Sequence, residues 1–151
     1  DSVYSTFAPV TLENTIHVST TWSHLDNTDD LAGRPSAHHV LIHELAHVSQ
    51  YQHGGWSYLV SSIYAQTLAF ISKGSRNEAY RWEERINDNT SFADWNPEEQ
   101  AQGISDFEFY QFYGNNGNVA ALKRANVLAC AVPLLKERYC NNTARTAEFI
   151  K

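Results

Sequence analysis

The sequence predicts a mainly helical domain with one small β element, an α+β fold. Helix-type patterns or compositions fill four long segments, at residues 37–52, 56–71, 97–113 and 119–139. Clear strand-type alternation is found in one short segment, 14–20, where Ile16 and Val18 share a face. The 151 residues suit one domain that can bury its own core. We therefore expect a single domain over residues 1–151.

The helix expected at 37–52 has recognisable ends. Ser36 is a good N-cap residue, and Gly54-Gly55 can stop the helix. Its apolar stripe should comprise Val40, Leu41, Leu45 and Val48. Residues 56–71 are apolar nearly all round, so we expect a second, well-buried helix there.

The second half of the chain should be helical after an ambiguous stretch. Residues 77–89 could form a strand or irregular structure. Asn96 as N-cap and Pro97 at the first helical position then open a helix that reaches about Tyr113. A loop rich in Gly and Asn follows, and the last helix should be bent or interrupted at Pro133.

The composition excludes several classes of partner. The net charge is −6 and the 11 Lys and Arg residues are spread thinly, which disfavours nucleic acid and anionic membrane surfaces. No apolar run approaches the ~20 residues that a membrane-spanning helix needs. The first residues lack the basic start and apolar core of a signal peptide, and the chain contains no methionine. We therefore expect a processed product or a piece of a longer protein.

The two cysteines, Cys130 and Cys140, leave two interpretations open. A continuous helix between them would separate their Cα atoms by ~15 Å, whereas a disulfide needs ~7 Å or less. A disulfide therefore requires the chain to reverse, near Pro133 or at Arg138-Tyr139. It would indicate an oxidising compartment. The alternative is a buried Cys130 and an incidental Cys140.

Residues 43–47 read HELAH, so that His43, Glu44 and His47 form the pattern His-Glu-x-x-His. Positions i and i+4 lie on one face of a helix, which lets His43 and His47 direct two imidazoles at one zinc ion. Glu44 can then reach a water at the metal as general base. The flanking residues are uncharged, which indicates a buried face. The alternative is a surface helix that carries scattered polar groups.

A third ligand must come from elsewhere, and His53 is the first candidate. It stands where the metzincin pattern HExxHxxGxxH places its last histidine. However, the glycine of that pattern is Gln50 here, and a chain without methionine cannot form the metzincin methionine turn. If the helix simply continues, His53 points about 120° away from His47. We therefore expect His53 to be a surface or helix-end histidine.

A glutamate on a later helix is the better candidate. With Asn96 as N-cap, Glu99 falls at the third helical position, where it can complete a capping box. The helical wheel places Glu98 at the edge of the apolar face and Glu99 with Asp106 on the polar side. We therefore predict Glu98 as the zinc ligand and Glu99 as the cap. The alternative is that both acids only complement the helix dipole. The reserve candidates are Glu78, Glu83 and Glu84.

Other side chains could complete the site. A tetrahedral oxyanion needs a hydrogen-bond donor, and Tyr80 and Tyr110 are candidates by their position in the sequence. His38 and His39 precede the motif directly and are expected to be structural.

These motifs carry a resemblance. The segment LIHELAHVSQYQHGG, an aromatic patch at Tyr80 and Trp82, and NPEEQAQGISDFEFY resemble gluzincin-type metallopeptidase domains of bacterial secretion spikes and polymorphic toxins. The nearest resemblance is to the C-terminal domains of VgrG-type spikes of type VI secretion. It covers roughly residues 14–112.

The resemblance implies a zincin-like fold, in which the HExxH helix packs against a helix that carries the glutamate. It also implies a zinc-dependent peptidase, delivered from a parent spike protein into a target cell and its periplasm. The partners would be a peptide or protein substrate and an immunity protein. In that mechanism His43, His47 and Glu98 bind zinc and Glu44 is the base. The competing hypothesis is a non-catalytic module in which zinc staples the helices.

Overall fold

The computed structural model describes residues 10–17, 35–55 and 80–141. Within these ranges, two strands, β1 (Val10–Leu12) and β2 (Thr15–His17), precede five helices. The helices are α1 (Pro35–Gly54), α2 (Trp82–Asn87), α3 (Pro97–Asn115), α4 (Val119–Ala131) and α5 (Pro133–Tyr139), with a 3-10 turn at Phe92–Asp94. The prediction of a mainly helical chain with a small β element is therefore confirmed. No helix in these three ranges is long and apolar enough to cross a membrane.

The two strands form an antiparallel hairpin in which Val10 pairs with His17 and Leu12 with Thr15. Glu13 occupies the turn with φ 56°, a left-handed conformation that tight turns often require. The alternation in the sequence located β2, whereas β1 was not predicted. Both strands contact α1, so the hairpin lies against the motif helix.

Helix α1 is longer than predicted at both ends. It begins at Pro35, so Ser36 lies inside the helix and its prediction as N-cap was wrong. The reason is that proline, with its fixed φ, is itself suited to the first helical position. At the other end, the predicted glycine stop is confirmed. Gly55 adopts φ 59° and its N–H donates to the carbonyl of Tyr51 at 2.7 Å.

The apolar stripe predicted on α1 is only partly buried. Ala37, at 3% exposure, packs with Val40 and Leu41, whereas Leu45 is 46% exposed. The helix instead directs its polar residues Glu44 and His47 inward, since both are buried. The buried helix predicted at 56–71 lies outside the described residues.

The ambiguous stretch at 77–89 contains a short helix. Trp82 begins α2 and is 1% exposed, so its indole anchors the helix in the core. The strand alternative is therefore wrong for residues 82–87. A six-residue helix that is held by one aromatic side chain gives too short a pattern for its period to be recognised.

Helix α3 begins as predicted. The Asn96 side chain accepts a hydrogen bond from the Glu99 N–H at 3.0 Å, and the Glu99 carboxylate accepts from the Asn96 N–H at 2.9 Å. This is a capping box, with Pro97 at the first helical position. The helix continues to Asn115, beyond the predicted end at Tyr113. A Cβ on Gly114 would lie 2.9 Å from the Cα of Leu122, so glycine permits the close return into α4.

The predicted interruption at Pro133 is confirmed. Helix α4 ends at Ala131, Val132 is extended (φ −89°, ψ 116°), and α5 begins at Pro133. This reversal brings the Cα atoms of Cys130 and Cys140 to 4.7 Å, and the two cysteines form a disulfide. Of the two interpretations that the sequence left open, the structure shows the disulfide.

Helix α3 is the centre of the described fold, since it packs against α1 on one side and α4 on the other. Its contacts with α4 and α2 build the main core, whose buried members are Trp82, Trp95, Phe107, Ala125, Leu128 and Ala129. The face of α3 that meets α1 carries polar residues instead. The two sides of α3 therefore separate the apolar core from the candidate site.

Candidate metal centre

A ladder of polar side chains fills the contact between α1 and α3. Helix α1 contributes His39, His43 and His47 at successive intervals of four residues, and α3 contributes Glu98, Gln102 and Asp106 at the same interval. Residues four apart lie one above the other on a helix, so each set forms one row. His47 meets Glu98 at one end and His39 meets Asp106 at the other, so the two helices run antiparallel.

The predicted ligands meet at the Glu98 end of the ladder. The Nε2 atoms of His43 and His47 lie 3.1 Å apart. Glu98 Oε2 lies 3.4 Å from His43 Nε2 and 3.3 Å from His47 Nε2. Within the described residues, these three are the one group of His, Cys, Asp or Glu side chains that converges as a metal site would require. The structure thus brings together the three side chains that the sequence singled out.

The spacing of these donor atoms matches a tetrahedral ion. Zinc lies ~2.0–2.1 Å from nitrogen and oxygen ligands, which separates the ligand atoms of a tetrahedron by about 3.3 Å. The observed separations of 3.1, 3.3 and 3.4 Å lie close to that edge length. Two imidazoles and one carboxylate are also ligand types that zinc accepts. The residues present therefore fit a zinc ion.

The triad is withdrawn from solvent. Glu98 is 2% exposed and His47 6% exposed. Burial by itself lowers the pKa of His47, but the hydrogen bond and negative charge of Glu98 outweigh it, so the pKa lies above its ordinary value. The carboxylate of Glu98 therefore favours the protonated form of His47, at the place where a cation would otherwise compensate that carboxylate.

Gln50 fixes the tautomer of His47. Its amide nitrogen donates to the carbonyl of Pro97 and to Oε1 of Gln100, both at 3.0 Å. Since a carbonyl oxygen can only accept, the amide oxygen of Gln50 must face His47 Nδ1, which lies 2.8 Å away. His47 therefore carries a proton on Nδ1, and its Nε2 is the nitrogen that can offer a lone pair to a metal.

Glu44 lies beside the triad and is 6% exposed. Burial raises its pKa, and this effect exceeds the opposing contributions of a hydrogen bond from Thr11 and of nearby His47 and His43. The Thr11 hydroxyl lies 2.7 Å from Glu44 Oε2 and 3.1 Å from the Glu44 carbonyl oxygen. A buried carboxylate with a raised pKa next to two histidines has the properties of a general base.

The other end of the ladder is closed by Asp106. Its carboxylate accepts from Trp82 Nε1 at 2.6 Å and from Gln102 Nε2 at 2.8 Å, and it pairs with His39 Nε2 at 2.7 Å. The helical wheel placed Asp106 on the polar side of α3, and in the structure this polar side packs against His39 of α1 and Trp82 of α2. A polar seam between packed helices cannot be distinguished from a solvated face by hydrophobicity alone. His39 pairs with Asp106 and does not belong to the converging group of His43, His47 and Glu98.

An open cavity of about 510 Å³ adjoins this part of the ladder. It is lined by Tyr80, Arg81, Trp82, Glu83, Gln102 and Asp106. The ring of Tyr80, which lines the cavity, lies 5.7 Å from the ring of His43, centroid to centroid. Tyr110, the other oxyanion candidate, accepts a hydrogen bond from Arg124 at 2.8 Å and packs against the α2–α4 core instead.

The remaining candidate ligands lie elsewhere. His53 bonds to the carbonyl of Ser49 at 2.7 Å on the exposed side of α1, as expected of a helix-end histidine. Glu99 is held by the capping box and by Arg85, whose Nε donates to both carboxylate oxygens at 2.9 Å. Glu83 and Glu84 face Arg124 and Arg81. Glu78 lies outside the described residues.

Two contacts at the candidate site were not predicted from the sequence: that of Gln50 with His47 and that of Thr11 with Glu44. In the sequence, Gln50 stands out only as the residue that replaces the metzincin glycine, although its position three residues after His47 is compatible with a hydrogen bond to the His47 ring. Thr11 gave no signal, because its contact with Glu44 spans 33 positions. The chain was also compared with models of protein families, with curated proteins and with solved structures, and none of them matches it.

Proposed function

We propose that this protein is a zinc-dependent peptidase, with His43, His47 and Glu98 as metal ligands and Glu44 as general base. One observation carries the proposal. Three donor atoms converge at tetrahedral spacing with a buried glutamate beside them, and that glutamate follows the first ligand directly in the chain. The order His-Glu-x-x-His on a helix is the arrangement of zinc peptidases.

The number of ligands supports catalysis over a structural role. A structural zinc site is usually closed by four protein ligands, whereas a catalytic site keeps one position open. Three ligands converge in the part of the chain that the structure describes. The same donor set can hold Fe(II), but the glutamate at the site favours hydrolysis because it can accept a proton from a water. The adjoining cavity offers room for a substrate.

In the proposed hydrolysis, the metal ion and Glu44 would have different roles. A bound zinc ion would supply Lewis acidity, polarising the peptide carbonyl and lowering the pKa of a water. Glu44 would accept a proton from the attacking water as its oxygen bonds to the carbonyl carbon. Glu44 would then deliver that proton to the amine that leaves as the C–N bond breaks. Its raised pKa suits both steps, since a base of pKa nearer neutrality can also act as an acid.

The wider biological role is a proposal of the same kind. The resemblance to spike-borne gluzincins supports a zincin-like fold and delivery of the chain as a toxin to a neighbouring cell. The Cys130–Cys140 disulfide supports a working place in an oxidising compartment such as the periplasm. An immunity protein and a parent delivery protein would then be its partners.

The second candidate is a non-catalytic module in which a metal only staples the helices. It is favoured by the fact that the three ligands join α1 to α3, the central helix of the described fold. The two functions differ in what they require of Glu44. A staple needs the ligands and is indifferent to Glu44, whereas the peptidase needs both.

The test is therefore Glu44→Gln, with metal content and hydrolysis of an unfolded protein measured on the same samples. We expect wild type and variant to hold about one zinc each, and the variant to cleave about 10²- to 10⁴-fold more slowly. Glu137→Gln, on the exposed surface of α5, is the matched control and should cleave as wild type does. Equal cleavage by wild type and Glu44→Gln would rule out the mechanism.

A further inference from the structure

The amino-terminal hairpin reaches the metal centre through one buried side chain. Thr11, in the middle of β1, is 4% exposed, although the hairpin residues Glu13, Asn14 and Thr15 are exposed. Its hydroxyl lies 2.7 Å from Oε2 of Glu44 and 3.1 Å from the Glu44 carbonyl oxygen. Both acceptors belong to the same residue, so the hydroxyl is placed relative to the backbone and the side chain of Glu44 together.

We propose that Thr11 is a positioning residue that holds the carboxylate of Glu44 in place for proton transfer. The inference rests on the proposed peptidase function. Within residues 10–17, 35–55 and 80–141, Thr11 is the side chain that donates a hydrogen bond to this carboxylate. Rotation about the terminal bond of a glutamate is otherwise broad. Holding Oε2 from the hairpin restricts that rotation and so fixes where Oε1 lies relative to His43 and His47.

A threonine on a strand suits this task. Its branched Cβ restricts the side chain to few rotamers, so the hydroxyl is held with little loss of entropy. The antiparallel pairing of Thr11 with Ile16 fixes the strand itself, and the strand packs on α1. The hairpin would thereby be part of the reacting site, although it contributes no ligand to the metal. Valine has nearly the same shape as threonine but offers the buried carboxylate no donor.

The first test compares Thr11→Val with Thr11→Ser in the full chain. We expect Thr11→Val to keep its zinc and its KM and to lose about tenfold to a hundredfold in kcat, since misplacing a reacting group acts on the chemical step. Thr11→Ser restores the hydroxyl and should recover most of the rate. Thr15→Val, an exposed threonine of the same hairpin, is the matched control and should match wild type.

The second test does not depend on activity. A double-mutant cycle of Thr11→Val and Glu44→Ala is measured by chemical denaturation of the zinc-loaded protein. Thr11→Val should raise the unfolding equilibrium constant about tenfold when Glu44 is present, and by a clearly smaller factor in the Glu44→Ala background, where the hydroxyl keeps only the carbonyl oxygen of residue 44 as acceptor.

The outcomes are separable. Additive effects in the cycle would overturn the proposal, as would a wild-type kcat in zinc-loaded Thr11→Val or an equal defect in Thr11→Ser. If the cycle shows coupling but wild-type protein hydrolyses nothing, the peptidase function fails and the Thr11–Glu44 positioning stands.

Discussion

Gln50 on α1 donates a hydrogen bond of 3.0 Å to the carbonyl of Pro97, the residue that directly precedes Glu98. The amide oxygen of the same side chain accepts from His47 at 2.8 Å. One amide therefore connects His47, a proposed ligand on α1, to the backbone turn that presents Glu98, the proposed ligand on α3. Partners of this kind orient a histidine before the metal arrives, which reduces the entropy lost on binding.

We expect Gln50→Leu to weaken zinc binding by about 10- to 100-fold, because His47 loses its Nδ1 partner and the Pro97 carbonyl loses its donor. Glu98 and both histidines remain, so the stoichiometry should stay at one. A competition titration against a zinc-chelating dye measures the dissociation constant directly. An unchanged dissociation constant would show that Gln50 does not orient His47.

Two variants separate the functions of this amide. Gln50→Glu can still accept from His47 but cannot donate to Pro97, so it should retain more zinc affinity than Gln50→Leu while losing thermal stability. Gln52→Leu changes an exposed amide on the same helix and should leave the zinc dissociation constant unaltered.

Glu98 and Glu99 are adjacent in sequence, but their removal should affect different properties, zinc content for Glu98 and stability for Glu99. Glu98→Ala deletes the carboxylate that faces both imidazoles, so bound zinc should fall sharply. Glu99→Ala leaves the triad intact and should mainly cost about 1 kcal/mol of helix capping. Zinc content by elemental analysis and unfolding by urea distinguish the two effects. Zinc lost from Glu99→Ala and kept by Glu98→Ala would reverse the assignment.

The sequence could distinguish the roles of Glu98 and Glu99 because a capping box involves only residues close together in the chain. A capping box spans four consecutive residues, so Asn96 and Glu99 could be recognised before any tertiary contact was known. Once Glu99 is assigned as the cap, Glu98 is the acid of this pair that remains to face α1. The His43–His47 pair could likewise be predicted because one turn of helix brings the two residues together.

Contacts between distant segments could not be predicted in this way. Thr11 lies on a strand whose three residues give no readable period, and its partner Glu44 is on another element. Asp106 has the polarity of a surface residue, yet it is partly buried against His39 because a row of histidines faces it. The hydrophobic pattern records whether a residue is polar, whereas the packing of α1 on α3 decides whether that polarity meets solvent or another polar side chain.

Removing the disulfide should lower stability without altering the metal centre. By the chain-entropy model, a cross-link over this short loop contributes roughly 2–3 kcal/mol. Helix α5, which it fastens, packs on α4 rather than on α1. We therefore expect Cys130→Ser with Cys140→Ser to lower the free energy of unfolding by that amount and to leave the zinc dissociation constant unchanged. A reducing agent should shift wild type towards the double variant and leave the variant where it is.

The side chains proposed as zinc ligands also bind protons, so the stability of the metal-free protein and that of the zinc-loaded protein should depend differently on pH. The pKa of His47 is raised above 6.5 in the folded state, so its stabilising contribution is present below 6.5 and is lost as pH rises through the folded value. The contribution of Glu44 to stability should also decrease as pH rises, because its pKa is raised above 4.5 and folding favours its neutral form. Zinc requires the unprotonated ligands, so its stabilisation grows over the same range.

We therefore expect the free energy of unfolding in the presence of a chelator to fall between about pH 6 and pH 8, by at most about 1.4 kcal/mol per pH unit for each proton released. The stabilisation added by zinc should increase over the same interval, so that the two curves diverge. Urea denaturation at both pH values, with and without zinc, measures this. His47→Gln should flatten the metal-free curve, because the group that gains a proton on folding is gone. A metal-free protein that becomes more stable from pH 6 to pH 8 would contradict a raised pKa of His47 in the folded state.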